Sequence, residues 1–129
     1  MFLLLPGAEG ILLQRDRFGA AAATGLGEDI MRGCLSYEAV SLMRRGLSPR
    51  EACSEALAAF TSRKEDLGED AGSISLIALA PDGRFGAATT LQLFPFAVGT
   101  AEKTELYIIG PGESAPLLPV DVAQLSGID

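Results

Sequence analysis

The chain has 129 residues, 48% hydrophobic and 21% charged, a balance that fits one folded domain rather than a solvated disordered tail. Its formal charge of −7 and its scattered Lys and Arg residues leave no concentrated basic face for nucleic acid or anionic lipid. Histidine is absent, which removes His-based metal sites, Ser-His-Asp triads and Cys-His dyads together.

The apolar start, Met1-Phe2-Leu3-Leu4-Leu5, lacks a basic flank and reaches Pro6-Gly7 too soon for a signal peptide or a membrane span. It reads as a strand or as the ragged beginning of a truncated chain. Ile11 to Leu13 and Phe18 to Ala23 are apolar and rich in small residues, which predicts short buried strands. Thr24-Gly25-Leu26-Gly27 breaks that pattern, and the carboxylates of Glu28-Asp29 suit a helix N-terminus, so a helix is expected from Gly27 or Glu28. Tyr37, Val40, Leu42 and Met43 fall mainly on one face of it, Arg44-Arg45 fall in its last turn, and Gly46 supplies the left-handed cap. Ser48-Pro49-Arg50-Glu51 has a capping serine, a first-turn proline and a glutamate three residues after the serine, which predicts a second helix over 49–61.

Thr61 to Gly72, with six charges and two glycines, reads as a surface connection. Ser73 to Ala80, the turn Pro81-Asp82-Gly83-Arg84 and Phe85 to Leu93 read as an antiparallel hairpin, with a further strand at Thr104 to Ile109. The prolines after Ile109 predict an irregular tail over 111–129, with a short helix near Val120 to Leu125. Cys34 and Cys53 have no C-x-x-C spacing and read as buried free thiols in preference to a disulfide. A reducing cytoplasm is compatible with that and slightly favoured as the compartment.

Chemistry concentrates in Gly19-Ala20-Ala21-Ala22-Ala23-Thr24-Gly25-Leu26-Gly27-Glu28. The segment delivers a hydroxyl and two unhindered backbone amides where a strand gives way to a helix, a natural pocket for negative charge. Amide hydrolysis needs such a pocket, because fixed donors at the developing oxyanion contribute about 3 kcal/mol each. Two other readings stand beside it. The glycines can serve only a tight turn, with Thr24 as a helix cap. A dinucleotide fingerprint would need a third glycine, which Glu28-Asp29-Ile30 does not provide.

Gly19 through Gly27, with Asp29-Ile30-Met31-Arg32, Leu35-Ser36-Tyr37-Glu38-Ala39-Val40, Met43-Arg44-Arg45-Gly46 and Pro49-Arg50-Glu51-Ala52-Cys53, resembles the C-terminal part of glycosylasparaginases and plant-type asparaginases. Ile74 to Thr90 is similar to that family's final strands, so the resemblance covers about residues 18–110, after a divergent start over 1–17. It implies an α+β fold, part of the layered αββα sandwich of N-terminal nucleophile hydrolases, with two adjacent helices packed on an antiparallel sheet. It also implies that the Thr24 hydroxyl and the Gly25 N–H form an oxyanion hole and that Gly27 contacts the aspartyl part of the substrate. The family's base is the free amino group of its own threonine nucleophile, so no cofactor is expected.

In that family the nucleophilic threonine and an Arg-x-Gly-Asp-Ser substrate clamp precede the stretch that this chain matches. Arg15-Asp16 does not reproduce the clamp and reads as a surface turn, Thr89 and Thr90 read as sheet residues, and Glu28-Asp29 as a solvated first helical turn. Two functions follow as expectations. The first is the oxyanion-hole half of an enzyme that cleaves the side-chain amide of asparagine or glycosylasparagine, completed by an upstream chain. The second is an inactive remnant serving as a binding or interaction module. Either leaves sheet faces to be covered, so homo- or hetero-oligomerisation is expected, with no nucleic-acid or membrane partner.

Overall fold

Alternation along the strand Gly19–Gly25 divides the core in two. Ala21 and Ala23 turn to one side, into a cluster with Leu35, Val40, Leu57, Phe60 and Leu76, whereas Ala22 turns to the other, against Ile77, Phe94 and Phe96. The computed structural model describes residues 2–4, 12–25, 29–69, 72–99, 102–112 and 117–120.

The elements in chain order are β1 (Phe2–Leu4), β2 (Leu12–Asp16), β3 (Gly19–Gly25), α1 (Asp29–Arg44), α2 (Pro49–Asp66), β4 (Ile74–Leu79), β5 (Phe85–Thr89), β6 (Phe94–Gly99), β7 (Thr104–Ile109) and β8 (Leu118–Val120). They form two antiparallel sheets, ordered β2-β3-β4-β5 and β1-β6-β7-β8. Both helices pack on the first sheet, and the second sheet packs on its other face through Phe94, Phe96, Val98 and Ile109. The layers run helices, sheet, sheet, the α+β arrangement expected.

The helices end where their caps dictate. Ser48 Oγ accepts the Glu51 N–H at 3.2 Å and its hydroxyl donates to Glu51 Oε1 at 3.0 Å, which starts α2. At the end of α1, Gly46 N–H donates to Met43 O and Leu47 N–H to Leu42 O, a Schellman pair that folds Leu47 onto the core. The same pair recurs after α2, from Gly68 to Glu65 and from Glu69 to Lys64. So α2 runs five residues beyond the predicted Thr61, because Gly68 and not the charged run is its stop signal. Pro49, Ala52, Cys53, Ala56, Leu57 and Phe60 are its buried stripe. A buried side chain such as Leu57 or Phe60 contributes on the order of 2 kcal/mol, so this stripe rather than the Lys64–Glu69 ion pair holds the helix down.

Several predicted boundaries move. The strand expected to continue to Leu93 stops at Thr89, and the chain crosses to the second sheet as β6. Pro95 masks β6 in the sequence, yet among the described residues β1 pairs with Ala97, Val98 and Gly99, a ladder that does not call on a Pro95 N–H. Leu118–Val120 is a strand on β7 rather than irregular tail, so Val120 does not begin a helix; 121–125 lie outside the described residues. Arg15 and Asp16 close β2, and the turn falls at Arg17-Phe18, where the Arg17 and Arg44 guanidiniums flank the Phe18 ring. Tyr37 and Cys34 are exposed, because the buried face of α1 runs through Leu35, Ser36, Ala39, Val40 and Met43. The Pro81 turn forms as expected: Asp82 accepts from the backbone N–H and the guanidinium of Arg84, which hold its carboxyl below the usual range.

The tightest layer contact is between β5 and the start of α2. A Cβ on Gly86 would strike the backbone of Arg50 and lie 2.8 Å from the Pro49 carbonyl carbon. Gly86→Ala should therefore destabilise the chain by about 1–3 kcal/mol in denaturant melts, as overpacking against backbone does. Cys53 Sγ lies 3.8 Å from Gly86 O, and burial pushes its thiol well above the ordinary 9.0. As pH rises past that value the unfolded chain releases the proton and the folded chain keeps it. Stability then falls by up to about 1.4 kcal/mol per pH unit, and Cys53→Ala should flatten that slope. Under native conditions a thiol reagent should label Cys34 and spare Cys53.

Candidate functional site

Register places three hydroxyls side by side at one end of the interior between the sheets. Thr24 stands opposite Ser75, and Ser75 opposite Thr89, one step along from the apolar row Ala22, Ile77, Ala87. Residues two apart share a face, so this hydroxyl row continues the apolar row and ends it. Ser75 is 1% exposed and Thr89 3%, while Thr24 is half-buried.

The two buried members satisfy each other. Ser75 Oγ and Thr89 Oγ1 are 2.8 Å apart, and Thr89 Oγ1 also accepts the Leu91 N–H at 2.9 Å. Beyond them, Thr90 Oγ1 accepts the Ile74 N–H and donates to Gly72 O. The Thr24 hydroxyl has no hydrogen-bond partner among the described residues. It is therefore the member of the row left available to a ligand.

Gly25 follows with φ +150°, opposite Ile74, and a Cβ there would run into the Ser73 carbonyl oxygen. Glycine is thus required both by conformation and by space, and its backbone lies closer to β4 than any side-chain-bearing residue allows. A neutral hydroxyl beside bare backbone suits an oxygen that carries or develops negative charge.

Thr24 and Gly25 are adjacent at the end of β3, as the motif requires. Gly27, with Glu28, lies outside the described residues; Asp29 opens α1. Sequence reasoning overlooked Ser75 and read Thr89 only as a sheet residue. The signal was available in their being polar at inward positions of otherwise apolar strands, but it needed the register to become legible. Among the described residues no group of His, Cys, Asp or Glu could hold a metal, and no helix is long and apolar enough to cross a membrane. One cavity of about 350 Å³ lies between α2 and the end of β5, reaching Ser54, Thr61, Thr89 and Thr90. Another, of about 500 Å³, is lined by Ser48, Arg50, Asp82 and Arg84. Neither has Thr24 or Gly25 in its lining.

Two substitutions separate availability from structure. Thr24→Val should leave stability within about 0.5 kcal/mol of the parent, since it removes no bond made by the protein. Gly25→Ala should cost about 1–3 kcal/mol by forcing β3 away from Ser73. Denaturant midpoints of the two variants check both.

The sequence model of the family described as Asparaginase matches residues 13–109. An N(4)-(Beta-N-acetylglucosaminyl)-L-asparaginase of Elizabethkingia miricola is 35% identical over 85 residues, which cover 64% of this chain and 25% of that protein. Two proteins provisionally given the same name are similar as well. The one from Drosophila persimilis is 35% identical over 92 residues, 70% of this chain and 22% of the relative, and the one from Drosophila yakuba is 40% identical over 86 residues, 66% and 20%. The chain thus matches a quarter or less of the length of these relatives. With a family match across most of the chain and a strand, Gly19–Gly25, that ends in the Thr-Gly pair, this chain belongs to the asparaginase family.

Proposed function

We propose that this chain supplies the oxyanion-stabilising part of an amide hydrolase acting on the side-chain amide of asparagine or of a glycosylated asparagine. The reading is carried by one observation: at the end of β3 the Thr24 hydroxyl is half-buried and, among the described residues, without a hydrogen-bond partner, beside a Gly25 that tolerates no side chain. As a nucleophile adds to the amide carbon, the carbonyl oxygen takes up the displaced electron pair. Thr24 Oγ–H and the Gly25 amide are the donors that meet that charge, and Gly27 contacts the aspartyl moiety. Such donors act without changing protonation, which suits a chain with no histidine. The nucleophile, a terminal threonine in the family resembled, comes from a segment upstream of this one or from a separate chain.

The product, L-aspartate, is the direct probe, because its β-carboxylate presents the same oxygen to the same donors. Titrated into the isotope-labelled chain, it should shift the Thr24 and Gly25 amide resonances, and Thr24→Val should weaken the interaction by about fivefold or more. Absence of any shift at these two residues defeats the reading. By itself the 129-residue chain should not turn over aspartyl hydroxamate.

A second reading, an interaction module, is favoured by the outer face of the β1-β6-β7-β8 sheet. Pro95, Leu106, Ile108, Leu118 and Val120 share the face turned away from the other sheet, and Leu118 is 55% exposed. Both readings need a partner on that face, whether a second copy or an upstream chain. Sedimentation should show association of the isolated chain; a strictly monomeric, cooperatively melting protein would count against it.

A further inference from the structure

Ser75 sits in the middle of the hydroxyl row, and its side-chain oxygen leans to one of its two neighbours, Thr89. It is 1% exposed, so its hydroxyl must find a partner inside the protein, because an unpaired buried hydroxyl is costly. Directly opposed side chains on neighbouring strands have Cβ atoms about 5 Å apart, which puts both Thr24 and Thr89 within reach of a Ser75 rotamer. In the structure Ser75 is bonded to Thr89 at 2.8 Å, and the Thr24 hydroxyl has no hydrogen-bond partner among the described residues. Thr89 is itself fixed, since it accepts the Leu91 N–H where the chain leaves β5 for the other sheet.

The geometry points to Thr89 as a positioning residue that keeps the Thr24 hydroxyl available, by holding Ser75 away from it. Without Thr89's hydroxyl, Ser75 turns to Thr24 and occupies the group that would meet the ligand. This inference rests on Thr24 being the ligand-facing hydroxyl proposed above. It assigns to Thr89 a role that needs no contact with the ligand.

The test compares Thr89→Val, Thr89→Ser, Ser75→Ala and the double variant Thr89→Val/Ser75→Ala in the full chain. Two readouts are taken by NMR: the Thr24 methyl resonance without ligand, and the midpoint for L-aspartate. Thr89→Ser and Ser75→Ala should resemble the parent in both. Thr89→Val should move the Thr24 methyl and weaken aspartate about fivefold, the value of one hydrogen bond redirected. The double variant should recover both, since the competing hydroxyl is gone. A purely structural role for Thr89, through the Leu91 N–H, predicts otherwise: the double variant would stay as impaired as Thr89→Val, and that result overturns the inference. So does a Thr89→Val chain whose Thr24 methyl is unmoved. If the parent shows no aspartate response at Thr24 or Gly25, the functional reading fails by itself, and the ligand-free methyl shift still decides the role of Thr89.

Discussion

The structure depends on one thin strand. β3 lies between a helical layer and a second sheet, and its run of alanines gives each side a single methyl group to pack on. Interiors are close-packed, so the width of that strand sets how near α1 comes on one side and how near Phe94 and Phe96 come on the other. Every larger core residue, from Leu35 and Phe60 to Ile77 and Phe96, fills space that the alanines leave open. The end of that strand is where the small-residue rule yields to chemistry. Thr24 replaces a methyl with a methyl plus a hydroxyl on the face shared with Ala22, and Gly25 removes the side chain altogether.

Local signals in the sequence were legible where a few adjacent residues carry the physics. Ser48-Pro49-Arg50-Glu51 announces α2, Gly46 closes α1, Asp82-Gly83 turns the hairpin, and β7 occupies the expected Thr104–Ile109. What stayed hidden depends on distant pairing. β6 carries a proline that lies outside its described ladder to β1, and β8 is a strand only because β7 offers it an edge. The last five residues of α2 were hidden by its charge, which is the solvated face of a helix and not a loop. The same division holds at the site. Thr24 and Gly25 are adjacent in sequence and could be read together, whereas Ser75 and Thr89 lie far along the chain and join them only through register.

The hydroxyl row also shows how a sheet interior can end without a charge. Ser75 and Thr89 bond each other, Thr89 also takes the Leu91 N–H, and Thr90 beside them bonds the backbone of Gly72 and Ile74, so buried polarity is balanced locally. A carboxylate or ammonium in the same place would face a desolvation cost several times larger. A row made only of neutral groups responds weakly to acidity.

The link from Thr90 to Leu93 joins the last strand of one sheet to a strand of the other, and its backbone is tethered at Leu91 to the Thr89 side chain. So short a tie has little slack. It sets the two packed sheets in register at one corner, where the Leu91 N–H is held by the Thr89 hydroxyl.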